Sequence, residues 1–423
     1  MRTTRRLRTH PVSLILGGLL LTGLVWGCDI FIPRPKPTSL YAIDVIAVDV
    51  CFGANDYCDG AAAVGAPDET SPWTGHFVSL GGGYIIATME RCFTNGEGAD
   101  LLIYEVGGAG QGGVAEPFDV SVSADLVTWL PVAVEAKNDQ GVTFTSVDIS
   151  PLSDSYKYVK VVDQGLSGGR TPGADIDALE ARYAARCTQT EPSTLQGLDV
   201  NATQGGSIDW SSVYDAGYRF VYVKATSGDD DEPTLRNPHL EWQAARAKAA
   251  GLAVGVYHFA YPEMNTPEDE AEYFLEVAGQ YVREGYLRPA LDIEEVNGPT
   301  STGISLSDWI SDWIEAVRAA TDVEALLYTT SDYANNALEP WLADEETGYD
   351  LWIAHWRCES DRSPNCGAWD NRWVFWQYWA PTEPGITGCP GSRPVPGIAV
   401  PVDLDVFNGG MTRLFEYMIT AVD

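Results

Sequence analysis

Two different periods of apolar and polar residues divide this chain. From about Tyr41 to Tyr183 apolar residues alternate within short runs, among them Tyr84-Ile-Ile-Ala-Thr-Met89, Leu101-Leu-Ile-Tyr-Glu-Val106, Phe118-Asp-Val-Ser-Val-Ser123, Thr143-Phe-Thr-Ser-Val-Asp-Ile149 and Tyr158-Val-Lys-Val-Val162. Gly, Asp and Ser turns separate them, which predicts a β-sandwich of jelly-roll type. After Cys187 a Thr/Ser/Pro stretch to Thr194 reads as a linker, and the period changes. Strand-like runs at Leu195–Val200, Phe220–Ala225, Ala253–Phe259, Pro289–Ile293 and Ala325–Tyr328 then alternate with helical stretches at Trp210–Ala216, Asn237–Ala250, Pro267–Tyr281, Leu306–Ala320 and Tyr333–Leu338. Strands at Leu351–Ala354, Phe375–Tyr378 and Asp403–Phe407 follow with little helix between them. Such alternation implies parallel strands joined by crossover helices, and eight strands over about 230 residues close most naturally into an α/β barrel.

The expected fold class is therefore multidomain: an all-β jelly-roll-like sandwich at 41–186, a linker at 187–194, and a TIM-like α/β barrel at 195–423, irregular over its last three strands. The first 27 residues have a basic start (Arg2, Arg5, Arg6, Arg8) and an apolar stretch from Val12 to Trp26. That is the pattern of an export signal, too short for a membrane span. Leu24-Val-Trp-Gly-Cys28 resembles a bacterial lipobox, which makes Cys28 the expected lipidated residue, residues 28–40 a tether, and a membrane a partner through that lipid.

Composition narrows the function. The chain carries 26 basic and 60 acidic residues, a net charge of −34, so nucleic acid is excluded as a natural partner. Eight cysteines in an exported chain point to disulfides, with Cys51–Cys58 and Cys358–Cys366 the close-spaced candidate pairs. Asp100, Asp163, Asp175 and Asp177 are candidates for a structural calcium site, with plain turn and strand-end acids as the equal alternative. Five histidines without an HExxH or a close-spaced pair argue against a zinc hydrolase, and no cofactor is expected for catalysis. Gly108-Ala-Gly-Gln-Gly-Gly113 and Gly165-Leu-Ser-Gly-Gly169 match a dinucleotide loop and a nucleophile elbow only literally. Neither opens a helix.

The chemistry points to carboxylates. Asp292 and Glu294 are one residue apart on a strand and share a face, as do Asp403 and Asp405. Asp199 ends the first barrel strand, while Tyr257, Tyr328, Trp376 and Gln377 lie near the ends of others. A barrel gathers such ends at one mouth. Packed carboxylates cannot all ionise cheaply, so one holds a proton and another stays charged, the division that glycosidic cleavage needs. Aromatic walls suit the apolar faces of sugars. Tyr257, Tyr328, Trp376, Gln377 and Asp405 are the expected substrate-binding groups.

Several motifs occur together and in order: Gly197-Leu-Asp-Val200 with Gln204-Gly205 and Ile208-Asp-Trp210; Val223-Lys-Ala-Thr226 with Gly228; Gly255-Val-Tyr-His-Phe259; Leu291-Asp-Ile-Glu294; Leu351-Trp-Ile-Ala354; Trp376-Gln-Tyr378; and Val402-Asp-Leu-Asp-Val-Phe-Asn-Gly409. In these the second half resembles glycoside hydrolase family 25, lysozymes that cleave the N-acetylmuramic acid to N-acetylglucosamine bond of peptidoglycan. The resemblance implies Glu294 as general acid/base, Asp292 assisting the substrate's 2-acetamido group, and Asp199 and Asp403 as the other two acids. Ser227, Asp405 and His355-Trp356 depart from the family's usual Glu, Asn and Tyr. The first half resembles sandwich domains of exported bacterial proteins in Gly65-Ala-Pro-Asp68, Phe77-Val-Ser-Leu-Gly-Gly-Gly83, Ala99-Asp-Leu-Leu-Ile-Tyr-Glu105 and Gly173-Ala-Asp-Ile-Asp-Ala178. A non-catalytic wall-binding lipoprotein and a hydrolase of another N-acetylated polysaccharide are the alternative readings.

Overall fold

The structure, a computed structural model, describes residues 38–49, 57–68, 75–106, 116–137, 143–165, 173–228, 235–294, 296, 298–357, 360, 363–381 and 393–420. The signal, Cys28, Cys51, Cys358 and residues 108–113 lie outside them.

The first domain contains β1 (Leu40–Asp49), β2 (Val78–Ser79), β3 (Tyr84–Thr94), β4 (Leu101–Glu105), β5 (Phe118–Ser123), β6 (Leu130–Ala136), β7 (Phe144–Val147), β8 (Ser155–Asp163) and β9 (Asp175–Ala181). All pairings are antiparallel, in the order β6-β5-β8-β3-β1-β9-β4-β7, with β2 on β9. β1 joins the two layers: Leu40 and Tyr41 pair with β9, and residues from Ala42 onward pair with β3 across two register shifts. Alternating apolar positions fill the space between, including Ile85, Ala87, Val120, Val122, Val159 and Val161. The all-β domain is as expected.

Two of the acids proposed for calcium bind backbone amides. Asp100 accepts the amides of Gly96 (2.7 Å) and Ile149 (2.9 Å), and Asp163 accepts that of Gly82 (2.7 Å). Among the described residues no group of three acidic, His or Cys side chains is placed to hold a metal. One expected cysteine pair is corrected: Cys366 is a buried free thiol, not the partner of Cys358. Cys58 is disulfide-bonded, and Cys92 is bonded to Cys187, 95 residues away, which brings the start of the linker back to β3.

The second domain is a closed barrel of β10 (Leu195–Val200), β11 (Tyr218–Ser227), β12 (Ala253–Phe259), β13 (Ala290–Ile293), β14 (Leu326–Thr330), β15 (Leu351–Ala354), β16 (Trp373–Trp379) and β17 (Asp403–Phe407). Helices α1 (Trp210–Asp215), α2 (Leu240–Ala249), α3 (Pro267–Ala278), α4 (Leu306–Thr321), α5 (Ser331–Asn336) and α6 (Met411–Glu416) complete it. In α4, Trp309, Ile310, Trp313, Ile314 and Val317 form one buried stripe against the outer face of the strands, and Ser305 caps the first turn by accepting the Asp308 amide. Among the described residues no helix is long and apolar enough to cross a membrane.

One strand departs from the parallel pattern. β10 to β16 run parallel, but β17 is antiparallel to both β16 and β10. An antiparallel neighbour needs no crossover helix, which explains the helix-poor end of the chain.

Inside the barrel, period two stacks side chains in layers. Leu195, Phe220, Leu326 and Phe407 fill the bottom with neighbouring aromatics; Tyr222, Trp352, Phe375 and Asp405 form the middle. Two glycines make room for these rings: a Cβ on Gly197 would lie 2.2 Å from the Phe220 ring, and one on Gly255 2.3 Å from that of Tyr222. Below, Ile86, Leu126 and Tyr158 of the first domain join a cluster with Met411 and Leu414 of α6. Glu191, in the stretch read as a linker, accepts from Tyr158 (2.9 Å) and from the Thr412 amide (2.8 Å). The sandwich thus packs on the end of the barrel away from the mouth.

Candidate active site

The uppermost layer carries the polar groups. Asp199 ends β10, Lys224 and Tyr257 lie on β11 and β12, Asp292 on β13, Tyr328 on β14, Gln377 on β16, and Asp403 opens β17. The strand reversal puts the first residue of β17 level with the last residues of its neighbours, and Asp403 pairs directly with Asp199. Asp403 begins its strand, and the reversal of that strand is what brings it to the mouth. Glu294 follows β13 by one residue and leans into the same space.

Asp199, Asn201, Lys224, Tyr257, Phe259, Asp292, Glu294, Tyr328, Trp352, Trp356, Gln377, Ala380 and Asp403 line a single pocket of about 160 Å³. The four acids expected from the sequence therefore meet. The charges of Asp199, Asp292, Glu294 and Asp403 all act on the hydroxyls of Tyr257 and Tyr328, whose pKa values burial, first of all, and then these carboxylates push well above the ordinary value. Both phenols stay neutral and serve as hydrogen-bond groups.

Gln377 organises the floor. Its Oε1 accepts Trp356 Nε1 (2.8 Å) and the Tyr328 hydroxyl (3.0 Å), while its Nε2 donates to Asp199 Oδ2 (2.8 Å). The Tyr328 hydroxyl also lies 3.2 Å from Glu294 Oε2, so one phenol links the catalytic candidate to this amide. Burial pushes the Asp199 carboxyl up to about 6, against the opposing hydrogen bonds of Gln377 and Asp405 and the charge of Lys224. Asp405 is raised further, by burial and then by the charge of Asp199. The Lys224 ammonium sits 4.3 Å over the Phe259 ring.

Two expected binding residues stand elsewhere. Trp376 points to the outer face of β16, where its Nε1 donates to the His355 carbonyl (2.9 Å) and its ring packs on Trp373 and Tyr378. Strand alternation that turns Gln377 inward must turn Trp376 outward. Asp405 lies beneath the pocket, fully buried, with Trp352 Nε1 donating to its Oδ1 (2.9 Å). His258 is structural: it is held between Thr226 and Glu270 at 2.8 Å each and stacks on Trp313. Sequence reasoning did not single out Asn201, Lys224, Phe259, Trp352 or Trp356 as binding groups, although Phe220, Tyr222 and Lys224 share one strand parity.

Residues 198–384 match the sequence profile of the glycosyl hydrolases family 25. The chain is 33% identical to lysozyme M1 of Streptomyces globisporus over 231 residues, which cover 53% of this chain and 71% of the relative. It is 27% identical to an N,O-diacetylmuramidase of Arthroderma benhamiae over 252 residues, 58% of this chain and 96% of the relative. A bacterial lysozyme structure from Streptomyces coelicolor aligns with a TM-score of 0.44 and 31% identity, covering 53% of this chain and 96% of its own. With 33% identity to lysozyme M1 over 71% of that relative, the chain belongs to glycosyl hydrolases family 25 and is a glycoside hydrolase.

Proposed function

We propose that this hydrolase is an N-acetylmuramidase that cleaves the β-1,4 bond between N-acetylmuramic acid and N-acetylglucosamine in peptidoglycan. Protonated Glu294 gives its proton to the glycosidic oxygen as the bond to the anomeric carbon breaks. Asp292 orients the 2-acetamido group, whose oxygen closes on that carbon. Water then attacks, and Glu294 takes back a proton, so the products are two sugar ends and the enzyme is restored. The anionic charge at the mouth stabilises the positive anomeric centre, while the faces of Tyr257, Phe259 and Trp356 receive sugar rings.

The observation that carries this reading is the entry of Asp292 and Glu294 into one aromatic-walled pocket, with Glu294 Oε2 3.2 Å from the Tyr328 hydroxyl oxygen. Glu294→Gln should abolish release of reducing ends from purified peptidoglycan with an unchanged circular dichroism spectrum. If the wild type releases none, the barrel is a glycan-binding module; if its products come only from chitin-like glycan, the substrate assignment is wrong.

Export and lipid attachment at Cys28 belong to the same proposal. The Cys92–Cys187 disulfide fits an oxidising compartment. Cys28→Ala should move the protein from the membrane to the soluble fraction, and unchanged partitioning would remove the anchor.

A further inference from the structure

Asp405 is buried without contact to the pocket, and the reaction above makes no use of it. It sits one layer below the mouth, opposite Gly197 of β10 and Gln377 of β16. Trp352 Nε1 satisfies Oδ1 (2.9 Å), but Oδ2 is buried and no N–H or O–H of the described residues reaches it. What its carboxyl does meet, within hydrogen-bonding reach, is the carboxyl of Asp199. Two carboxylates accept only, so a bond between them requires a proton on one.

The surroundings decide which one. Asp199 already receives the Gln377 amide at 2.8 Å and lies in the field of Lys224, and both favour its anion. Asp405 faces Asp199 from β10, Tyr222 from β11, Trp352 from β15 and Gln377 from β16, with Asp403 on its own strand. Its charged neighbours there are acids, which oppose a further negative charge.

We propose that Asp405 is a positioning residue that keeps its proton and donates it to Asp199, clamping that carboxylate with Gln377 beneath the sugar site. The clamp is titratable, whereas an amide in the same place would donate at every pH. The raised proton affinity of both acids, greater for Asp405, accords with this. The consequence for activity rests on the glycosidase reading; the shared proton does not.

Asp405→Asn is the decisive variant, because its Nδ2 supplies the donor permanently while Oδ1 still accepts from Trp352. Infrared spectra of the full chain at pH 7 should show a carboxylic acid carbonyl band that vanishes in Asp405→Asn. The variant should also become more stable relative to wild type as pH rises from 4 to 8, by about tenfold in the unfolding constant per pH unit for each proton no longer retained. The ratio of its kcat/KM on peptidoglycan to that of wild type should rise only above pH 7, as wild type loses that proton, whereas Asp405→Leu, which has no donor, should fall below wild type wherever the proton is held. An unchanged infrared band, or a stability ratio independent of pH, overturns the proposal. A wild type inactive on peptidoglycan would refute the muramidase reading alone, since the infrared and stability measurements need no substrate.

Discussion

Gln377→Glu is a nearly isosteric change whose cost follows from the geometry around one amide. Gln377 is 5% exposed; one end accepts from Trp356 and Tyr328 and the other donates to Asp199 Oδ2 at 2.8 Å. A glutamate keeps the two accepted bonds but aims an oxygen without a donor at Asp199. Once ionised, that glutamate would forfeit a hydrogen bond to a charged group, about 1.5–3 kcal/mol. It would also add repulsion of about 4 kcal/mol for charges about 4 Å apart at an effective dielectric of about 20. Retaining a proton avoids both, so the folded-state pKa of this glutamate must rise above its unfolded value of about 4.3. A raised folded pKa gives stability that is complete below the unfolded value and lost as pH rises through the folded one. Relative to wild type, the variant should lie within about 1 kcal/mol at pH 5 and lose up to about 4 kcal/mol more by pH 8, the limit set by retaining one proton across that interval. Only Trp26, Trp73 and Trp129 of the 14 tryptophans precede the barrel, so intrinsic fluorescence during urea unfolding reports on the barrel. An equal loss of stability at both pH values would show that Gln377 does not face an anion, and the described network would be wrong.

Three further outcomes follow from packing and cysteine chemistry. Gly255→Ala places a methyl 2.3 Å from the ring of Tyr222, which is fully buried and tied by its hydroxyl to the Arg288 carbonyl at 3.0 Å; a loss of about 1–3 kcal/mol in urea unfolding is expected, and unchanged stability would contradict the tight layer. Replacing Cys92 and Cys187 by serine opens a loop spanning 95 residues and should cost the first domain about 2–5 kcal/mol, seen as a lower urea midpoint in its circular dichroism transition; an unshifted midpoint would contradict this. Burial pushes the Cys366 thiol up to about 12, so its tryptic peptide should stay unlabelled by a disulfide reagent at pH 8 until urea is added, and rapid labelling of the native protein would contradict its placement.

The parts of the site that were legible in sequence lie on strands whose two faces differ. In Ala290–Ile293 the acid at 292 and the apolar residues at 291 and 293 give an unambiguous parity, and Leu291 and Ile293 do enter the outer core while Asp292 faces the mouth. β16 is different. Trp373-Val-Phe-Trp-Gln-Tyr-Trp379 is buried along its whole length, so apolarity marks neither face and an aromatic at 376 looks as suitable for sugar as its neighbours. Gln377 was the useful signal: a lone amide in a buried apolar run needs partners, and a site supplies them. The same reasoning would have kept Lys224, a charged residue inside the apolar run of β11.

The direction of β17 was not legible at all, yet the fourth acid depends on it. Asp403-Leu-Asp-Val-Phe407 has the same alternation read either way, and period two assigns faces without assigning ends. A parallel β17 would carry Phe407 to the mouth and Asp403 to the floor, among Phe220 and Phe375, where an acid finds no partner and burial opposes its charge. Reversal exchanges the two. Phe407 completes the aromatic bottom, and Asp403 comes level with Asp199 in the antiparallel register. Directly opposed like charges destabilise a strand pair, and the next inward position adds a third acid, Asp405. Three acids on two adjacent strands can share this space only if protons are retained among them, so the reversed strand that supplies Asp403 also forces unequal ionisation of Asp199, Asp403 and Asp405.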